Sequence, residues 1–262
     1  MLSVAIITFN EEEKLRKTLE SIHSLAEEIV VLDSFSTDAT REIAKSFGAR
    51  VECKEFTGFS DQKNHIIDLC KGDWILLIDA DEEISGDLAV EVGKELENPR
   101  AKVYECRFVS HCFGKKILYG GWSNFYKIRL FKKGSVRFGT EKIHERFLFG
   151  QNVEVVRLHG VINHYTYNTI EECLAKMNFY SSASARDLLN KGSSASIIPL
   201  ICSSMIIFLK RFFIKLGFLD GYYGFILAVF MAHLHFSKYA KLRLLKGQSR
   251  QQRDEVQLPK DR

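Results

Sequence analysis

Proline is scarce, with three in 262 residues, too few for rigid linkers or a proline-rich disordered chain. Cys53, Cys70, Cys106, Cys112, Cys173 and Cys202 form no CxxC pair, which argues against a zinc-ribbon or finger site. Scattered in apolar surroundings, they read as reduced, buried thiols. The turn after the first apolar run, TFNEEEK, contains no glycine. That removes the GxGxxG of a dinucleotide oxidoreductase, and it also counts against a sugar-phosphate nucleotidyltransferase, which wants a glycine-rich phosphate loop. The amino terminus has no basic stretch and meets acids at once, so it reads as a core strand and not a signal peptide. No helix-turn-helix, zinc-finger or RNA-recognition pattern accompanies the basic residues, and no nucleic-acid partner is expected.

What is present is ordinary for a folded α/β chain: 46% hydrophobic and 27% charged residues. Short, wholly apolar runs at 4–8, 29–32 and 74–78 fit strands buried on both faces. Helical patterns lie between them. Asn10 with Glu13 resembles a capping box, and Leu15, Leu19 and Ile22 then share one face. Ser36 and Thr37 precede a second helix that Gly48 closes, and Ser60 precedes a third that Gly72 closes. Strands alternating with helices predict a mainly parallel sheet, helices on both faces, joined by right-handed crossovers. From about residue 102, Tyr104, Cys106 and Phe108 alternate with Glu105 and Arg107, as in a half-exposed strand. A further strand is expected at 127–132 and a helix at 169–191.

The tail differs in kind. Between 205 and 253 there are nine Lys or Arg and one acid, Asp220. Two apolar runs, 197–209 and 221–236, each fall short of the roughly 20 residues that span a bilayer. They read either as interfacial helices with basic flanks, suited to an anionic membrane surface, or as a helical pair packed on the domain. The expected partition is a domain over 1–192, with halves at 1–100 and 101–192, and a basic helical appendage over 193–262.

The chemistry concentrates at strand ends, where open α/β sheets bind ligands. Asp79-Ala80-Asp81 closes the apolar run WILLI. Two carboxylates two residues apart suit a divalent cation, Mg²⁺ or Mn²⁺, which also binds diphosphate; Asp81 capping the next helix is the bland alternative. Asp33 ends the run EIVVL and is suited to accept from a base N–H or a ribose hydroxyl. Thr8, Phe9 and Asn10 end the first run, with Phe9 open to base stacking or core packing. Lys63 lies at a helix start, facing donor phosphate or ribose in one reading and solvent in the other.

These residues carry a resemblance. SVAIITFNEE, VVLDSFSTDAT and FSDQKNHIIDLCKGDWILLIDADEEI are similar, in order and spacing, to the successive motifs of family-2 glycosyltransferases. RLFKKG, KIHERF, INHY, GFLDGYYGF and FSKYAKL resemble one subgroup, which includes lipopolysaccharide core glucosyltransferases. The resemblance implies a GT-A fold, a UDP-sugar donor and a nucleotide-sugar half at 1–100. It implies that Thr8 and Asp33 hold the uracil, Asp79 the ribose, and Asp81 a metal on the diphosphate. Many relatives have proline in place of Ile7 and arginine in place of Lys63; the second departure matters, since lysine cannot make arginine's bidentate contact.

An inverting transfer needs a base for the acceptor hydroxyl. Glu145 is the candidate and His144 the runner-up. His164 is expected as a late metal or phosphate ligand and Arg129 as a counter-charge to diphosphate. Trp122, after two glycines, stacks on sugar in one reading and is core in the other. The expected activity is transfer of a hexose, glucose in this reading, from a UDP-sugar to a lipid-linked saccharide such as lipopolysaccharide core, by a peripheral protein on the cytoplasmic face of a bacterial inner membrane. The alternatives are a nucleotidyltransferase and an inactive transferase-like membrane scaffold.

Overall fold

A computed structural model describes residues 1–139, 147–149, 153–193 and 196–257. Glu145 and His144 lie outside the described residues.

By internal contacts the chain forms two units. The first comprises Met1–His111 and Ser123–Thr166. It opens with β1 (Leu2–Thr8), α1 (Glu12–Ile22), β2 (Glu28–Asp33), α2 (Thr40–Ser46), β3 (Arg50–Cys53), α3 (Phe59–Leu69) and β4 (Trp74–Asp79). After Ala80 and Asp81 come β5 (Glu82–Ile84), α4 (Gly86–Glu97) and β6 (Val103–Cys112). A short strand β7 (Lys115–Ile117), which falls in the second unit, is followed in the chain by β8 (Phe125–Lys132), β9 (Val136–Phe138), β10 (Phe147–Phe149) and β11 (Val155–Tyr167).

The strands run across the sheet in the order β3-β2-β1-β4-β8-β6-β11-β5. The first four are parallel, as the continuous apolar runs predict. From β4 onward the pairing turns antiparallel, so the sheet is mixed and not mainly parallel. The alternation of Tyr104, Cys106 and Phe108 marks that change, because one-sided burial belongs to antiparallel strands. β1 alternates its side chains between two cores: Leu2, Val4 and Ile6 meet α1 and α4 residues such as Leu15 and Leu88, while Ala5 meets Ile66 and Ile67 of α3. Helices therefore cover both faces.

β5 follows β4 after only two residues, yet it pairs with β11 at the far end of the order. The antiparallel half must curl back toward β4 to allow this. Gly160 on β11 marks the tightest contact of the curl with α4: a Cβ there would sit 2.4 Å from Leu88 Cα.

The second unit comprises Cys112–Trp122 and the chain from Tyr167 onward. The contacts thus differ from the expected division at 192. They group α5 (Ile170–Asn190) with the C-terminal helices α6 (Ile197–Leu209) and α7 (Gly221–Gln257). The reason is chemical: Lys241 of α7 donates to Asn178 Oδ1 at 2.6 Å and Ser181 Oγ at 2.7 Å on α5, beside an apolar core of Cys173, Met177 and Leu227. Trp122 belongs to this core, edge-on to Tyr167 at 6.1 Å and under the Arg211 guanidinium at 5.5 Å. A π-turn at Lys210–Ile214 and a 3₁₀ turn at Gly217–Asp220 join α6 to α7. The apolar run at 221–236 does not end there. Helix continues through Gln257, and Gly217–Gln248 is long and apolar enough to cross a membrane by length and composition.

Candidate active site

Parallel register sets the site. Thr8 lies beside Asp33, and Ile7 beside Asp79, so the carboxyl ends of β1, β2 and β4 open on one edge.

The loops beyond β1 and β2 are laced together. Asn10 adopts a left-handed backbone, φ 52°. Its N–H donates to Ser36 Oγ at 2.8 Å, and its Oδ1 accepts from the Thr37 N–H at 2.8 Å. The N–H groups at the start of α1 find partners in the other loop: Glu11 donates to Thr40 Oγ1 at 2.8 Å and Glu12 to Asp38 Oδ2 at 3.2 Å. The expected Asn10–Glu13 capping box is therefore absent, because α1 starts at Glu12 with no side-chain cap of its own. Asp38 also accepts from the Thr40 N–H at 3.0 Å, so one carboxylate bonds the first N–H of both α1 and α2. Ser36 does not cap; its N–H donates to Asp33 Oδ1 at 2.8 Å and its hydroxyl to Oδ2. Asp33 is fully buried and fixed by these bonds. Phe9, by contrast, is 57% exposed, and Phe35, beyond β2, is 56% exposed with φ 63°.

At the tip of β4, charges are packed in alternation. Lys63 of α3 is buried, not solvated, and its Nζ lies 3.5 Å from Asp79 Oδ1. Arg129 of β8 is also buried; its Nη2 donates to Asp79 Oδ2 at 3.0 Å and to Glu82 Oε1 at 2.6 Å, and its Nε to Glu82 Oε2 at 3.0 Å. Burial would raise the Asp79 pKa, but Lys63 and Arg129 outweigh it and hold the carboxyl well below the carboxylate range. For Glu82 burial is the strongest influence. Arg129 opposes it, Asp79 adds to it, and the net direction is upward. Arg129, expected as a counter-charge to diphosphate, is thus engaged inside the protein and sits within a strand, not at its end.

Asp81 and His164 meet across the curl, with His164 Nε2 3.5 Å from Asp81 Oδ1. The antiparallel register of β11 with β5 places His164 opposite Glu82 and so beside Asp81. The other ring nitrogen, Nδ1, lies 3.2 Å from Thr166 Oγ1, an orienting contact common behind metal-ligating histidines. Burial alone would lower the His164 pKa; Asp81 reverses this and raises it.

Among the described residues no group of three or more His, Cys, Asp or Glu forms a metal cage. Mg²⁺ and Mn²⁺ do not require one when they bind phosphates, since one or two carboxylates plus phosphate oxygens and water complete the shell. Asp81 with His164 fits that requirement.

Among the described residues seven buried side-chain atoms make no hydrogen bond, and at this edge they include Thr8 Oγ1, Gln62 Oε1 and Asp79 Oδ1, the last held only by its ion pair with Lys63. Leaving a neutral group such as the Thr8 hydroxyl unsatisfied costs about 1–3 kcal/mol. Thr8, Asp33, Lys63, Asp79, Asp81, Arg129 and His164 all fall in the first unit. Sequence reasoning missed Glu82, the partner of Arg129, because a third acid after DAD carries no signal of its own. It also missed Lys127, two residues before Arg129 on β8.

Residues 3–158 match the family described as Glycosyl transferase family 2. An uncharacterized glycosyltransferase of Rickettsia typhi is 34% identical over 95% of this chain and 89% of its own length. The lipopolysaccharide core biosynthesis glycosyltransferase LpsC of Rhizobium meliloti is 30% identical over 92% of this chain and 91% of its own. Glucosyl-3-phosphoglycerate synthase of Mycobacterium tuberculosis, solved with Mn²⁺ and UDP, is 25% identical over 41% of this chain and 44% of that one, with a TM-score of 0.36.

Proposed function

Because the chain belongs to glycosyl transferase family 2 and has its GT-A fold, we propose that it transfers a hexose, glucose in our reading, from a UDP-sugar to a lipid-linked saccharide such as lipopolysaccharide core, with inversion. The observation that carries the donor side is the buried Thr8 hydroxyl at the carboxyl edge, which has no hydrogen-bond partner among the described residues. Thr8 and Asp33 are assigned to the uracil, Phe9 and Asn10 to the rim around it, and Asp79 with Lys63 to the ribose and its first phosphate. Arg129 acts from behind, fixing Asp79 and Glu82.

Mg²⁺ or Mn²⁺ would be held by Asp81 with His164 beside it, and when bound would supply positive charge to the diphosphate. Glu145 is assigned as the base. The acceptor oxygen bonds to the anomeric carbon as its proton passes to that carboxylate. The bond to the donor's phosphate oxygen breaks, and its electron pair leaves on UDP.

The name of the Rhizobium relative supports the acceptor class. A lipid-linked acceptor also suits the second unit, whose exposed α6 and α7 residues include Ile198, Ile206, Tyr222 and Phe225. Basic flanks on these helices fit an anionic membrane surface, on the cytoplasmic side where nucleotide sugars are made. Lys241 of the long helix, held by Asn178 and Ser181 of α5, favours an interfacial position over a span, since a desolvated charge at bilayer depth is costly. The deciding experiment is a donor panel of UDP-glucose, UDP-galactose, UDP-N-acetylglucosamine and GDP-mannose, each assayed with and without Mg²⁺ or Mn²⁺. Metal-dependent hydrolysis of a UDP-hexose is expected. Turnover of GDP-mannose alone would overturn the donor reading.

A further inference from the structure

The cations around the β4 tip are not equivalent. Lys63 pairs with Asp79 at 3.5 Å, Arg129 with Asp79 and Glu82 at 3.0 and 2.6 Å, and His164 with Asp81 at 3.5 Å. Lys127 has no carboxylate at ion-pair distance among the described residues. Its ammonium instead rests over two rings, 5.0 Å from the centroid of Phe108 and 5.4 Å from that of Phe125. Those rings are themselves stacked at 5.2 Å and 14°, so the shelf under the lysine is rigid.

Its position follows from register. β8 runs antiparallel to β4 with Leu130 opposite Leu76. Just before Leu130 the strand carries a bulge, with Leu130 opposite Tyr104 but Ile128 opposite Glu105, and Lys127 follows beyond it. Lys127 shares the Phe108 ring with Arg129, whose guanidinium lies 5.1 Å from its centroid. Crowding by protein lowers its pKa, the Arg129 charge lowers it further, and Glu82 and Asp79 pull it back up, so it lies within the field of the carboxylate cluster. It nonetheless keeps an exposed surface. A cation held over aromatic faces, accessible and outside ion-pair distance of every carboxylate among the described residues, is prepared to receive an external anion.

We propose that Lys127 holds the diphosphate of the donor and positions it for departure, the role that Arg129 is too deeply engaged to fill. This rests on the reading of the site as one for a UDP-sugar. No chemical step changes: the bond to the sugar breaks with its electrons on UDP, and Lys127 meets the charge that results.

The test is calorimetric titration of UDP and of UMP, with Mg²⁺ present, into the parent protein, Lys127→Met and Lys127→Arg. Lys127→Met should weaken UDP by about 10-fold or more, as loss of a charge-assisted hydrogen bond predicts. UMP should change far less, and Lys127→Arg should recover most of the UDP affinity. A structural role would not separate UDP from UMP. Equal UDP affinity in parent and Lys127→Met would overturn the assignment, as would equal losses for UDP and UMP. A defect seen only in the acceptor's KM would move Lys127 to an anionic acceptor group and likewise overturn it. If the parent itself binds no UDP, the donor reading fails first, and the two failures are thereby told apart.

Discussion

Arg129 and Glu82 form a two-pronged ion pair in which the arginine is 1% exposed and the glutamate 0%. Removing one partner of such a pair leaves the other charge buried and uncompensated, at a cost of about 3–5 kcal/mol. Arg129→Met should therefore lower stability by that amount in urea unfolding. Arg129→Lys should recover only part of it, because an ammonium cannot reproduce both prongs. Full stability in Arg129→Met would mean that Glu82 is protonated in the folded protein.

Asp81 and His164 converge without a third ligand among the described residues, so metal affinity should depend on the diphosphate. Asp81→Asn removes one ligand charge. It is expected to abolish Mg²⁺- or Mn²⁺-dependent turnover while leaving the thermal melt near that of the parent. Undiminished activity of the parent in EDTA would rule out the metal.

The buried Thr8 hydroxyl has no hydrogen-bond partner among the described residues, so it separates binding from folding. Thr8→Val keeps shape and removes the hydroxyl. Folding should be unchanged or slightly improved, while UDP affinity drops by roughly 3- to 10-fold, the worth of about one neutral hydrogen bond. Asp33→Ala cannot make this distinction, since it also strips Ser36 of its partner. Unchanged UDP binding in Thr8→Val would take Thr8 out of the uracil site.

Glu145→Gln should cut turnover by about 10²–10⁴-fold, the usual share of a general base, with little effect on UDP affinity. A parental rate in that variant would pass the role to His144.

The parallel half of the fold was legible because a strand buried on both faces must be apolar throughout, as in 29–32 and 74–78. The curl that returns β5 to β4 was not. Nothing in DADEEI shows that Glu82–Ile84 pairs with Ile162–His164, a contact about eighty residues distant. For that reason Asp81 and His164 were each expected at the metal but not as neighbours of one another, and Glu82 went unseen. Cap residues misled at Asn10, whose side chain crosses to the neighbouring loop, because local spacing cannot distinguish a helix cap from a bond between loops.

The second unit presents an inverted pattern to its surroundings. Ile198, Ile201, Met205, Ile206, Leu209 and Phe213 are all exposed, and they recur at the three- and four-residue spacings that align on one face of a helix. The only acid between 205 and 253, Asp220, is engaged by the Leu118 and Tyr119 N–H groups at 3.2 and 2.8 Å. What faces outward is therefore apolar surface with exposed basic residues, including Lys210 and Lys215. An anionic bilayer attracts each nearby cation by about 1 kcal/mol, fading over a Debye length of about 10 Å at 0.1 M salt. The apolar face adds a contribution that salt does not screen. The protein should co-sediment with vesicles containing anionic lipid, release only partly at high salt, and release fully in detergent. Met205→Glu combined with Ile206→Glu should make it salt-releasable without unfolding the first unit. A span by Gly217–Gln248 predicts instead that protease applied from the periplasmic side cuts the chain. Cleavage there would overturn the interfacial reading, and so would undiminished sedimentation of the double variant at high salt.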